Sequence, residues 1–136
     1  MRNVVFGALL LIVAGLSAPA RAQEPGAAEG VIRSQIDAFL ADDFARAFTY
    51  ASPMIQNMFR TPDNFGMMVR QGYPMVWRPA ELRFGAREER GGRVYQEVMI
   101  TDQGGRLHVP QYEMLPGGES WEINGVRFLE APQVGA

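Results

Sequence analysis

The chain has 136 residues, no cysteine, one histidine, and thirteen basic residues, all of them arginine, against fifteen acidic ones. This excludes disulfide frameworks, thiol chemistry, cysteine-ligated zinc, a lipoprotein anchor and any lysine Schiff base. A slightly acidic chain with scattered arginines also matches neither nucleic acid nor anionic lipid, so no nucleic-acid partner is expected.

In chain order, the first segment reads as a targeting signal. Arg2 gives a small positive region, Val4 to Leu16 is an unbroken run of apolar and glycine residues, and Ala20-Arg21-Ala22 has the small-x-small pattern of a cleavage site. The run is too short for the roughly 20 residues that span a bilayer. Residues 1–22 are therefore expected to be a signal peptide cut after Ala22, placing the mature protein in the periplasm or outside the cell, off the membrane. Residues 23–30 (QEPGAAEG) read as a flexible leader, 31–131 as a single domain and 132–136 as a disordered tail.

From Val31 the apolar period is helical: Ile32, Ile36, Phe39, Leu40, Phe44, Ala47 and Phe48 form one stripe, interrupted at Asp42-Asp43 where a second segment is capped. Ser52-Pro53 predicts a third short helix. Thr61-Pro62-Asp63 predicts a fourth, ending at Gly72. In that fourth helix Phe65, Met68 and Val69 share an inward face and read as core. Tyr73 to Trp77 should then link the helices to the sheet, crossing its open end.

After Pro79 the period becomes two, and four strands are predicted, around Leu82–Arg87, Val94–Thr101, Arg106–Leu115 and Ser120–Leu129. The last two change parity midway. Bulges near Pro110 and Asn124-Gly125 would bring Leu107, Val109, Tyr112, Met114, Trp121, Ile123, Val126 and Phe128 to one face and bend the sheet. The expected fold is α+β: N-terminal helices packed in the concave face of a curved, bulged, roughly four-stranded antiparallel sheet, a cone.

The series I-x-x-Q-I-D-A-F-L-A-D-D-F-A-R-A-F-x-Y-A-S-P (Ile32 to Pro53), F-x-x-M-V-R-Q-G-Y-P (Phe65 to Pro74), V-Y-Q-E-V (Val94 to Val98) and W-E-I-N-G-V (Trp121 to Val126) resembles a bacterial family catalogued as domain of unknown function 4864. That family is similar in plan to the nuclear transport factor 2-like, or cystatin-like, cone folds. The resemblance implies a fold with a pocket and implies no activity, cofactor or site residue.

The chemistry has few carriers. His108 is expected at an exposed or edge position, and one histidine without cysteine does not build a typical zinc site, so no metal and no cofactor are expected. A cone-fold isomerase or dehydratase would need a carboxylate base, for which Asp37, Asp42 and Asp43 are the candidates; Asp43 reads better as a helix cap and Asp37 as a solvent-facing residue. The better-supplied reading is non-catalytic binding of a small apolar ligand or a partner segment. Tyr73 and Trp77 would stand at the cone mouth, with Gln96 and Tyr112 pointing inside. Gln96 bonded to its own backbone is the competing reading for that residue. A homodimer through the open sheet face is a third reading of the whole chain.

Overall fold

Helices occupy the first part of the chain and strands the second, in a computed structural model that describes residues 24–118 and 120–130. The expected signal peptide and its cleavage site, residues 1–22, and the tail, 132–136, lie outside the described residues. Five helices run in order: α1 (Ala27–Leu40), α2 (Phe44–Thr49), α3 (Pro53–Phe59), α4 (Pro62–Gly72) and α5 (Pro74–Trp77). Each of α2, α3 and α4 begins on a side-chain cap. Asp43 accepts from the Arg46 N–H, Ser52 from Ile55 and Thr61 from Asn64. Proline follows the cap in α3 and α4, where its missing N–H is not needed.

Helix α1 starts at Ala27, inside the segment expected to be a flexible leader. Ala28 is fully buried, and the indole N–H of Trp121 donates to the Glu24 carbonyl at 2.8 Å. Small residues permit that close docking, and their composition concealed it.

Four strands, β1 (Glu81–Arg90), β2 (Arg93–Thr101), β3 (Leu107–Gly117) and β4 (Ser120–Leu129), form an antiparallel meander in sequence order. The α1 stripe of Ile32, Ile36 and Phe39 packs in one core with Val94 and Val98 of β2 and Met114 of β3. Each such buried side chain contributes about 1.5–3 kcal/mol relative to exposure. The architecture is the α+β plan expected from the sequence.

The bulges are only partly where the sequence suggested. In β4, Glu113 pairs with Gly125 but Met114 pairs with Ile123, so Asn124 is the extra residue and no hairpin forms there. Trp121, Ile123, Val126 and Phe128 accordingly share the helix-facing side. No bulge exists at Pro110. The β2–β3 register is the same on both sides of it, with Glu97 opposite Gln111 and Ile100 opposite His108. Proline lacks an N–H, so it removes rungs of the ladder without shifting it. By strand alternation Leu107 and Val109 therefore face away from Tyr112 and Met114, while His108 and Pro110 face with them. A bulge the parity did not reveal lies in β1, where the register shifts between Phe84 and Arg87.

Candidate functional site

Asn124 does more than bend β4. Its Oδ1 accepts from the Ser52 hydroxyl at 2.7 Å, while the Ser52 N–H donates to the Ile123 carbonyl and the Ile123 N–H to the Tyr50 carbonyl. The cap of α3 is thus fastened to the β4 bulge. That contact holds α3 across the concave side of the sheet, although α3 itself has no buried residue.

Beneath α3 lies a cavity of about 360 Å³, bounded by α1, α3, α4 and the inner faces of β3 and β4. Its wall is made chiefly of phenylalanine, methionine and branched aliphatic side chains. Phe65 sits at the centre of an aromatic cluster, with ring centroids 5.8 Å from Phe39, 5.3 Å from Phe48 and 5.7 Å from Phe59. Phe65 and Met68, expected as plain core, are both core and cavity wall. Met58 reaches the cavity while 61% exposed, so α3 is the thin side of the enclosure.

Three polar residues punctuate this wall. Tyr112 rises from the middle of β3, fully buried, and its hydroxyl has no hydrogen-bond partner among the described residues. Burial pushes its pKa well above the ordinary tyrosine range, so the phenol stays protonated and remains a donor. Gln35, 3% exposed, is pinned through Nε2 to the Ala47 carbonyl at 3.1 Å and lines the same space. Tyr73 stands half-buried at the open end, stacked on Phe128 with centroids 5.5 Å apart. Among the described residues no Asp, Glu, Arg or His lines the cavity.

The four residues singled out from the sequence divide evenly. Tyr73 and Tyr112 meet at the cavity; Trp77 and Gln96 do not line it. Trp77 is drawn away by its indole N–H, which donates to Asp42 at 2.9 Å, and by the Arg78 guanidinium stacked over its ring at 4.1 Å. Arg78 completes that corner with an ion pair to Asp42 at 2.8 Å and a bond to the Phe39 carbonyl. Gln96 is fully buried, but its Nε2 donates to the Glu97 carbonyl of β2 at 2.9 Å and the Gly85 carbonyl of the β1 bulge at 3.2 Å. Its Oε1 has no partner among the described residues.

The candidate bases are elsewhere. Asp37 is exposed, Asp42 belongs to the Trp77–Arg78 corner, and Asp43 caps α2. His108, expected at an exposed or edge position, is half-buried on the helix side, with its Nε2 2.8 Å from Asp102 Oδ2 and its ring T-shaped to Phe128 at 6.4 Å between centroids. Asp102 also accepts the N–H groups of Gly104 and Arg106, which makes the pair part of the β2–β3 turn. Among the described residues no group of three or more His, Cys, Asp or Glu is placed to hold a metal ion, and no helix is long and apolar enough to cross a membrane.

The outer sheet face carries charged and polar side chains beside the outward-facing Leu107 and Val109. Arg93 pairs with Glu113, and Arg127 donates to Gln111.

Sequence reasoning missed Gln35. The signal was present: it lies on the apolar stripe of α1, three residues after Ile32 and next to Ile36. A polar residue on a buried stripe needs either a partner or a ligand.

Comparison with known proteins agrees with this picture at the level of fold and family. The family model described as domain of unknown function DUF4864 matches residues 21–136. The solution structure of a SEC-C motif containing protein from Rhodopseudomonas palustris is similar, with a TM-score of 0.58 and 19% identity over 82% of this chain and 85% of that one. At that identity the likeness is one of fold. Comparison with curated proteins finds no match.

Proposed function

The chain belongs to the domain of unknown function family DUF4864, and from the cavity of this member we propose that it is a non-catalytic binding protein for a small apolar molecule. One observation carries the reading: Tyr112, whose fully buried hydroxyl has no partner among the described residues, is part of the wall of a cavity of about 360 Å³. Clefts of about 300–1,000 Å³ are the usual size for small-molecule sites, and a few polar groups in an apolar wall are their usual chemistry. A solely structural core fills such space, because voids and orphaned donors both cost stability.

The wall supports binding over catalysis. An isomerase or dehydratase needs a base within hydrogen-bond reach of its substrate. Asp37, Asp42 and Asp43 are all exposed and off the cavity. A cone of the nuclear transport factor 2-like kind is the finer fold we attach to this architecture. Export is the location we propose, on the apolar run Val4 to Leu16 and the Ala20-Arg21-Ala22 pattern.

Thermal melting with tetralin, a compact bicyclic hydrocarbon, tests the reading. Tetralin raises the midpoint of the wild-type protein by mass action and leaves Val126→Trp, whose indole fills the cavity, unmoved. Equal shifts in both proteins, or none in the wild type, would overturn it.

A further inference from the structure

Tyr112 and Gln35 share one cavity, but they are not equivalent. One N–H of the Gln35 amide is already spent on the Ala47 carbonyl, and its remaining N–H and oxygen can complement either polarity. Tyr112 has spent nothing. Its hydroxyl is a single donor, fully buried and with no hydrogen-bond partner among the described residues. Burial keeps the phenol protonated, so a cation gains no phenolate to pair with. A phenol oxygen is moreover a poor acceptor and a good donor. The group is complemented by an acceptor.

Charge decides between acceptors. A carboxylate or phosphate placed here would leave water with no arginine or histidine in the wall to receive it, which is prohibitive for an ion in an apolar enclosure. An uncharged oxygen pays a much smaller desolvation cost. Size narrows the choice further. At about 30 Å³ for each water-sized group, the cavity holds about a dozen non-hydrogen atoms. The aromatic rings of Phe39, Phe59 and Phe65 favour a compact or cyclic body over a long chain.

We infer that the ligand is an uncharged, compact apolar molecule whose polar end is a carbonyl-type oxygen, received by the hydroxyl of Tyr112. This rests on the binding reading above. The rival for the Tyr112 hydroxyl is a single buried water. Gln96 Oε1, directly across the ladder and itself without a partner, could share such a water. A water held there would leave the cavity indifferent to whether its ligand carries an acceptor.

Three ligands of one skeleton separate these cases: tetralin, α-tetralone and a tetralin carboxylate, titrated against the purified protein by amide chemical shifts. The ketone binds about three- to tenfold tighter than the hydrocarbon, the equivalent of one net hydrogen bond, and the carboxylate binds weakest. Tyr112→Phe removes the ketone's advantage and leaves tetralin affinity unchanged. Gln96→Leu leaves both affinities unchanged. Equal affinities for ketone and hydrocarbon in the wild type, an advantage that survives in Tyr112→Phe, or tightest binding of the carboxylate would overturn the inference while leaving the cavity a binding site. If none of the three shifts the resonances of Val126 and Met68, the binding reading fails and the inference with it. The wild-type comparison needs no variant, so a folding defect in either substitution leaves the test intact.

Discussion

Tyr112 lies directly across the β2–β3 ladder from Gln96, both side chains fully buried, and the hydroxyl of one and the amide oxygen of the other are without hydrogen-bond partners. Two orphaned polar atoms on neighbouring strands are costly in a domain of this size. They differ in what surrounds them. Tyr112 belongs to the cavity wall; Gln96 does not, and is bonded to the β1 bulge at Gly85.

Removing the first orphan should therefore not harm the empty protein. Tyr112→Phe deletes a buried donor that bonds nothing, so denaturant unfolding should show stability unchanged or raised by up to about 1 kcal/mol. A clear loss would mean that a buried water already satisfies the hydroxyl.

Gln96→Leu should behave in the opposite way. The Gln96 Nε2 donates to the Glu97 carbonyl of β2 and the Gly85 carbonyl of the β1 bulge, and an apolar replacement strands both. The expected cost is about 1–3 kcal/mol, with or without a cavity ligand. Chemical denaturation in the presence and absence of tetralin checks both halves of that statement.

Phe65→Ala should be the most damaging change of this set, at about 3–5 kcal/mol. It removes the ring that touches Phe39, Phe48 and Phe59 together. The same change enlarges the cavity, so a ligand one ring larger than tetralin should bind the variant and not the wild type. Melting curves with both ligands read the two effects separately.

The Asp42 corner should carry an acid-sensitive part of the stability. Its carboxyl is held below the ordinary carboxylate value, first by the Trp77 indole and then by Arg78. A group with a depressed folded-state pKa contributes stability above its unfolded value, about 3.9 for Asp, and loses it as pH falls through the folded value. Asp42 also has a positive φ of 53°, which asparagine tolerates. Asp42→Asn should thus be less stable than the wild type near neutral pH, and the two should converge as pH falls through the lowered folded-state value of Asp42. Urea midpoints across that range measure it; curves that stay parallel would contradict the assignment.

These side chains also show how far the sequence could be read. Caps at Asp43, Ser52 and Thr61 were legible because a cap is a local bond, made within three residues. The Asn124 bulge was legible because an inserted residue flips the parity of everything after it. Pro110 imitates that signal for another reason: it lacks an N–H, and the apolar Val109 is buried on the opposite face. The β1 bulge at Gly85 and Ala86 left no trace, since the residues after it are charged and exposed on either parity. Trp77 was assigned to the mouth because its partner, Asp42, is 35 residues away in the chain. Phe65 and Met68 could not be divided between core and cavity, because both environments impose the same apolar period.

Native mass spectrometry of the protein purified from its own cells tests the central claim most directly. The account predicts a wild-type population carrying one small neutral molecule that is released on denaturation, contains an oxygen, and is missing from Val126→Trp. A wild-type protein that flies bare at its own mass, or a molecule retained equally by the filled variant, would contradict it.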